Sequence, residues 1–148
     1  MEITQTQKRQ RTQWATQFLA AAELVRRGYT VAFTMGNHTP IADLMVGTRS
    51  GQQFWVDVKG LTSKTDWLFK PKSPRNQLYY VLVFLTKLAE HGKERKPDEF
   101  YIMTQETANK LEADYRAMHP NNKTTMPGFK YKDALMHKDS WHILPPAE

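Results

Sequence analysis

Cysteine is absent from this 148-residue chain, which excludes disulfides, thiolate metal centres and a cysteine nucleophile. Long apolar runs are missing as well. The longest, residues 78–85, falls far short of the ~18 residues that a membrane helix requires, so no membrane span is expected. The amino-terminal stretch Met1-Glu2-Ile3-Thr4-Gln5-Thr6-Gln7-Lys8-Arg9 lacks the apolar segment of a secretory signal. A soluble, cytoplasmic protein is the expectation that follows. His91, His119, His137 and His142 show no zinc-ligand spacing. Repeats and low-complexity tracts are also missing, and the length suits a single domain over residues 1–148.

What is present is a sizeable apolar complement and a surplus of positive charge. Hydrophobic residues make up 40% of the chain, with four Trp, six Tyr and seven Phe, enough for a genuine core. Lys and Arg number 21 against 15 Asp and Glu, a formal charge of +6. Such a surplus favours a polyanionic partner, because net charge speaks to partners rather than to fold.

Residues 12–27 read as an amphipathic helix, with Trp14, Phe18, Ala21 and Val25 on one face and Gly28 where the helix would stop. Residues 29–34 are rich in strand formers, and Met35-Gly36-Asn37-His38-Thr39-Pro40 carries turn chemistry. His38 reads there as a turn residue or as the rim of a site. Residues 41–46 form a short apolar strand interrupted by one acid, Asp43. A turn at 47–51 leads to a third strand at 53–60. A helix followed by three closely connected strands predicts a mixed α/β core that opens with an antiparallel meander. Residues 61–77 read as an exposed basic loop, 79–85 as a strand buried on both faces, 100–103 as a strand and 106–118 as a second helix. Residues 121–127 are polar and read as a mobile loop, and Trp141, Ile143 and Leu144 return to the core.

The third strand carries the chemistry. Side chains alternate along a strand, so Phe54, Val56 and Val58 share one face while Trp55, Asp57 and Lys59 share the other. An acid and a lysine thus project side by side. Asp43, set among Ile41, Ala42, Leu44, Met45 and Val46, is costly to bury unless it is paired or binds a metal. A single turn between these two strands lets both carboxylates lie on one face. Two hard carboxylates can hold Mg²⁺ or Mn²⁺ through oxygen and leave coordination positions open, and a metal so held activates water and polarises phosphate. A neighbouring lysine can orient or deprotonate the nucleophile, or stabilise charge on the phosphorus oxygens.

The segment Asp43 … Asp57-Val58-Lys59, preceded by the helix ending Ala22-Glu23-Leu24-Val25-Arg26-Arg27-Gly28-Tyr29, resembles the PD-(D/E)XK nuclease superfamily of restriction endonucleases and Holliday junction resolvases. The resemblance covers about a third of the chain, with a weaker match in the strands that follow. It implies a restriction-endonuclease-like α/β core, with an N-terminal helix, a three-stranded meander and further strands of a mixed sheet. It also implies a magnesium-dependent endonuclease acting on DNA. By the same resemblance Asp43 and Asp57 bind the metal, the carbonyl of Val58 is a further ligand, and Lys59 is catalytic. Ala42 stands where the motif's proline would be. Many members carry a glutamate on the first helix that supports the metal, and here that position is Gln17. Glu23 lies nine residues after Trp14, which at about 100° per residue sets it opposite the apolar face, whereas Gln17 lies about 60° from that face's centre. The family's usual helix between the third and fourth strands is shortened or replaced by the basic loop.

Within that loop Lys64, Lys70, Lys72 and Arg75 are candidate phosphate contacts. Trp67 and Phe69 offer either stacking surfaces for unpaired bases or a lid packed on the core. A homodimer would suit cleavage of both strands of a duplex. Two other readings stand beside the nuclease: a catalytically silent nucleic-acid-binding module on the same fold, and a protein-interaction domain that accompanies a nuclease.

Overall fold

The first element begins earlier than its apolar periodicity. In the computed structural model, which describes residues 1–34, 42–121 and 126–148, helix α1 runs Gln5–Arg26. Its start is set by a capping box. The Thr4 hydroxyl accepts the Gln7 amide at 3.2 Å and the Gln7 side chain accepts the Thr4 amide at 2.8 Å, which satisfies two donors that the helix's own ladder leaves free. The helix ends where expected, with Gly28 at φ +98°, a conformation that glycine adopts without Cβ strain.

Helix α1 does not bury the face that its aromatics mark. Of Trp14, Phe18, Ala21 and Val25 only Ala21 is buried; Phe18 is 57% exposed and Val25 56%. The buried residues are Thr16, Gln17, Ala20, Ala21 and Leu24. Small side chains bring the helix close to the sheet. A Cβ added to Gly60 would stand 2.7 Å from Thr16 Cγ2, an approach that bulky rings on this face would prevent. The displaced rings pack on one another instead, Trp14 stacked on Phe18 and Phe18 edge-on to Phe33.

The strands are β1 (Thr30–Phe33), β2 (Leu44–Gly47), β3 (Gln53–Leu61), β4 (Asp66–Leu68), β5 (Leu78–Phe84), β6 (Glu99–Thr104) and β7 (Gly128–Lys130), with helix α2 (Gln105–Met118) between β6 and β7. Five of them form one sheet in the order β1-β2-β3-β5-β6. The meander β1-β2-β3 and the pair β5-β6 are antiparallel, and β3 and β5 run parallel. The sheet is therefore mixed α/β, with an N-terminal helix. Its β5 strand is buried along almost its whole length, in keeping with its continuous apolar run.

A parallel pair needs a crossover, and residues 62–77 supply it. They are not simply an exposed loop. They contain β4, which pairs with β7, and Trp67 and Phe69 are fully buried, at 0% and 1% exposure. Neither ring is available to stack on bases. No helix intervenes between β3 and β5.

Two apolar layers flank the sheet. Ala20 and Leu24 of α1 pack with Leu44, Val46, Phe54, Val56, Val58, Val81 and Ile102, and Trp141 and Leu144 close that side. On the opposite face Trp67, Phe69, Tyr80, Tyr101, Phe129 and Ala108 of α2 form an aromatic layer. The expected turn at 35–40, with His38, and part of the polar stretch at 121–127 lie outside the described residues. Among the described residues no helix is long and apolar enough to cross a membrane.

The rotation of α1 has a measurable consequence. Leu24→Ala should cost about 2–5 kcal/mol in urea unfolding, as core truncations do, whereas Phe18→Ala should cost about 1 kcal/mol or less. The reverse ranking would mean that the helix packs on its aromatic face.

Candidate active site

Alternation places the third strand's side chains as its sequence implies. Phe54, Val56 and Val58 belong to the layer under α1, and Trp55 and Leu61 pack against the aromatic layer, so Asp57 and Lys59 project on the aromatic side. Backbone amides alternate too. Trp55 N–H donates to Gln77 O at the start of β5, so odd-numbered amides of β3 face β5 and even-numbered ones face β2. The β2–β3 register stops at Leu44 opposite Val56. The Val58 amide therefore points toward β2 beyond its end, and the Asp43 carboxylate takes it, with Oδ2 accepting Val58 N–H at 2.7 Å. A side chain continues the ladder where the backbone leaves it.

Asp43 is thus not inside a strand, as its apolar neighbours suggested, but in the bend immediately before β2. That position turns its carboxyl back over β3. Its other oxygen, Oδ1, accepts from Gln17 Nε2 at 3.3 Å; Gln17 is buried, at 4% exposure. Glu23 faces elsewhere and pairs with Arg26 and Arg27.

Asp57 is 4% exposed. Lys59 Nζ lies 3.0 Å and Lys72 Nζ 3.7 Å from its Oδ2. These contacts meet the charge but not the direction of a hydrogen bond, for among the described residues Oδ2 has no aligned partner. Beside it, in register on β5, stands Tyr80, fully buried, its hydroxyl likewise without a partner among the described residues. Burial first, then the charges of Asp57 and Asp43, push that hydroxyl's pKa upward, so it stays a neutral donor.

The structure places the four cations of the crossover differently. Lys72 turns inward onto Asp57. Lys64 stands over the Tyr131 ring, 5.6 Å from its centroid. Arg75 donates its backbone amide to Gln105 Oε1 at 2.7 Å, and Lys70 is exposed. Two residues thus enter the site in ways that sequence reasoning missed. Tyr80 is hidden in an apolar run, and only the β3–β5 register reveals it. Lys72 is one of four loop cations with nothing local to single it out.

The donor set suits a hard divalent cation. A carboxylate offers about four lone-pair sites, and each Asp43 oxygen accepts one hydrogen bond, which leaves capacity on both. The buried, unaligned Oδ2 of Asp57 is the other oxygen that a metal would satisfy.

No protein-family model matches the chain, and no curated protein matches it. Among solved structures a bacterial homing endonuclease, I-Ssp6803I, is similar with a TM-score of 0.45 and 15% sequence identity, over 88% of this chain and 87% of that one.

The proximity of the two acids has a cost that can be read in solution. Burial, followed by the Asp57 charge, pushes the Asp43 carboxyl up to about 7, against the opposing pull of the Val58 amide and of Lys59. An acid whose folded-state pKa lies above its unfolded value of about 3.9 opposes folding when ionised. Metal-free protein should therefore lose stability as pH rises from about 4 to about 7 and keep that loss above it. Asp43→Asn removes the charge and retains an acceptor for Val58. In EDTA at pH 8 it should exceed wild type by roughly 1–3 kcal/mol in urea unfolding, an advantage that shrinks toward pH 4. A variant less stable than wild type at pH 8 would show that the Asp43 charge supports the fold rather than straining it.

Proposed function

We propose that this chain is a metal-dependent nuclease that hydrolyses phosphodiester bonds of nucleic acid, with DNA as the preferred substrate. The observation that carries this reading is the meeting of Asp43, Asp57 and Lys59 at one point, where, among the described residues, neutral donors hold Asp43 and an Asp57 oxygen has no aligned hydrogen bond. Asp43 and Asp57, with the carbonyl of Val58, would hold Mg²⁺ or Mn²⁺. When bound, such an ion polarises the phosphate and lowers the pKa of water.

The remaining work falls to the chain's own groups. Gln17 orients Asp43 by donating to Oδ1, so that the carboxylate keeps its bond to Val58 and its remaining lone pairs stay in place. An amide adds no negative charge, so the site carries one acid fewer than a glutamate at that position would give. Lys59 is held by Asp57 yet has a partly exposed side chain. Its ammonium can therefore meet a phosphate oxygen in the transition state, where a fixed cation is worth most, or manage the proton of the attacking water.

A second reading is a silent nucleic-acid-binding module on the same fold. It is favoured by the two ammonium groups, Lys59 and Lys72, that already neutralise Asp57. Digestion of supercoiled plasmid with Mg²⁺, Mn²⁺ or EDTA separates the two. Nicking should require the metal, and Asp57→Ala and Lys59→Ala should each lower it by about 100-fold or more while circular dichroism and Tm stay near wild type. Cleavage retained in Asp57→Ala, or unfolding of either variant, would make the pair structural. The missing acid predicts a further result. Gln17→Glu should tighten Mn²⁺ binding in calorimetry and Glu23→Gln should leave it unchanged. The opposite ranking would make Glu23 the supporting residue.

A further inference from the structure

The N-terminal half of α1 has a flank that the site described above does not use. Gln5, Lys8, Arg9, Thr12, Gln13 and Thr16 recur at three- and four-residue spacing and so lie together on one side of the helix. With Val58, Lys59 and Gly60 across from them they enclose an open groove of 430 Å³. The absence of a side chain at Gly60 is what lets α1 lie against β3 at its floor, since a Cβ there would meet both Thr16 and Thr12. Lys59 belongs to the groove and to the carboxylate cluster at once. The groove therefore adjoins the candidate site at Lys59.

Its lining contains no carboxylate among the described residues. Among the described residues neither Lys8 nor Arg9 has an acidic partner, although ion pairs hold Arg26, Arg27, Arg95, Lys110 and Arg116 elsewhere. The Thr12 and Thr16 hydroxyls are spent on the helix's own carbonyls. Besides Lys59, that leaves the cations of Lys8 and Arg9, the amides of Gln5 and Gln13 and the hydroxyls of Thr62 and Ser63 to meet whatever enters. Such a set recognises a chain of phosphates, which is bound by cationic and amide donors and repelled by carboxylates. The inward turn of Lys72 and the seating of Lys64 over Tyr131 divert two crossover cations from that task.

We propose that this groove carries the phosphodiester backbone of the nucleic acid on one side of the bond to be cut, with Lys8 and Arg9 on successive phosphates. The assignment rests on the nuclease reading for its direction, toward Lys59, but its test does not require cleavage. Binding of a short labelled duplex is followed by fluorescence anisotropy in EDTA over a range of salt concentrations. Each phosphate contact contributes about 0.9 to the slope of log K against log salt. Lys8→Gln with Arg9→Gln should flatten that slope by about 2. The control Arg49→Gln with Lys110→Gln removes the same charge from distant exposed positions and should leave the slope unchanged. A slope that Lys8→Gln/Arg9→Gln leaves at the wild-type value, in a protein that cleaves plasmid, overturns the groove and spares the nuclease. Equal flattening by the control also overturns it, because the effect would then be net charge alone. A flattened slope in a protein that no metal makes cleave supports the groove and removes the nuclease reading.

Discussion

The candidate site depends on one hydrogen bond, from the Val58 amide to Asp43 Oδ2. It forms because β2 ends before β3 does, so that an amide on the inner edge of β3 has no backbone carbonyl opposite it. A buried N–H left unpaired costs about 1–3 kcal/mol, and the Asp43 carboxylate removes that penalty. In doing so it is drawn over the strand that carries Asp57. Two like charges are thereby held close by the requirement to satisfy a backbone donor, and burial, followed by their repulsion, raises the pKa of Asp43. Helix α1 enters the same arrangement through Gln17.

The opposite side of the sheet explains why Asp57 cannot relax away from that repulsion. Its neighbour Tyr80 packs edge-on against Phe69, which in turn meets Phe129. Trp67, Tyr101 and Tyr131 extend the same aromatic layer. Interiors of this kind are close-packed and yield little. The polar groups enclosed by them, Asp57 Oδ2 and the Tyr80 hydroxyl, are neighbours in register across β3 and β5. Locally unfavourable arrangements in an otherwise consistent fold mark functional places. Lys59 and Lys72 offset part of the cost by charge.

Positive charge is distributed to match. The helix flank of Lys8 and Arg9 and the Asp57-bound Lys59 line a single groove, so the +6 excess of the chain includes a local arrangement beside the carboxylate cluster. The exposed rings of Trp14 and Phe18 lie on the other flank of the same helix, away from that groove.

Several features were legible in the chain by itself, and they share one property: each is set by neighbours in sequence. The side-chain alternation that puts Asp57 and Lys59 on one face of β3, the antiparallel meander, the fully apolar β5 and the stop at Gly28 all follow from local geometry. The early start of α1 was also written locally, in Thr4 and Gln7, but lay outside the apolar pattern. The rest was decided by contacts between residues far apart. Which flank of α1 faces the sheet depended on how close Gly60 allowed it to come, and small residues won over aromatic ones. The fate of each crossover cation depended on where β4 pairs with β7 and β5 pairs with β3, which no spacing within residues 61–77 encodes. Tyr80 became a neighbour of Asp57 only through a parallel register joining strands separated by the whole crossover. Asp43 reached Val58 because β2 begins only at the residue after it, opposite Val56, while β3 runs on. Periodicity is a property of a segment, whereas register and close approach are properties of a pair.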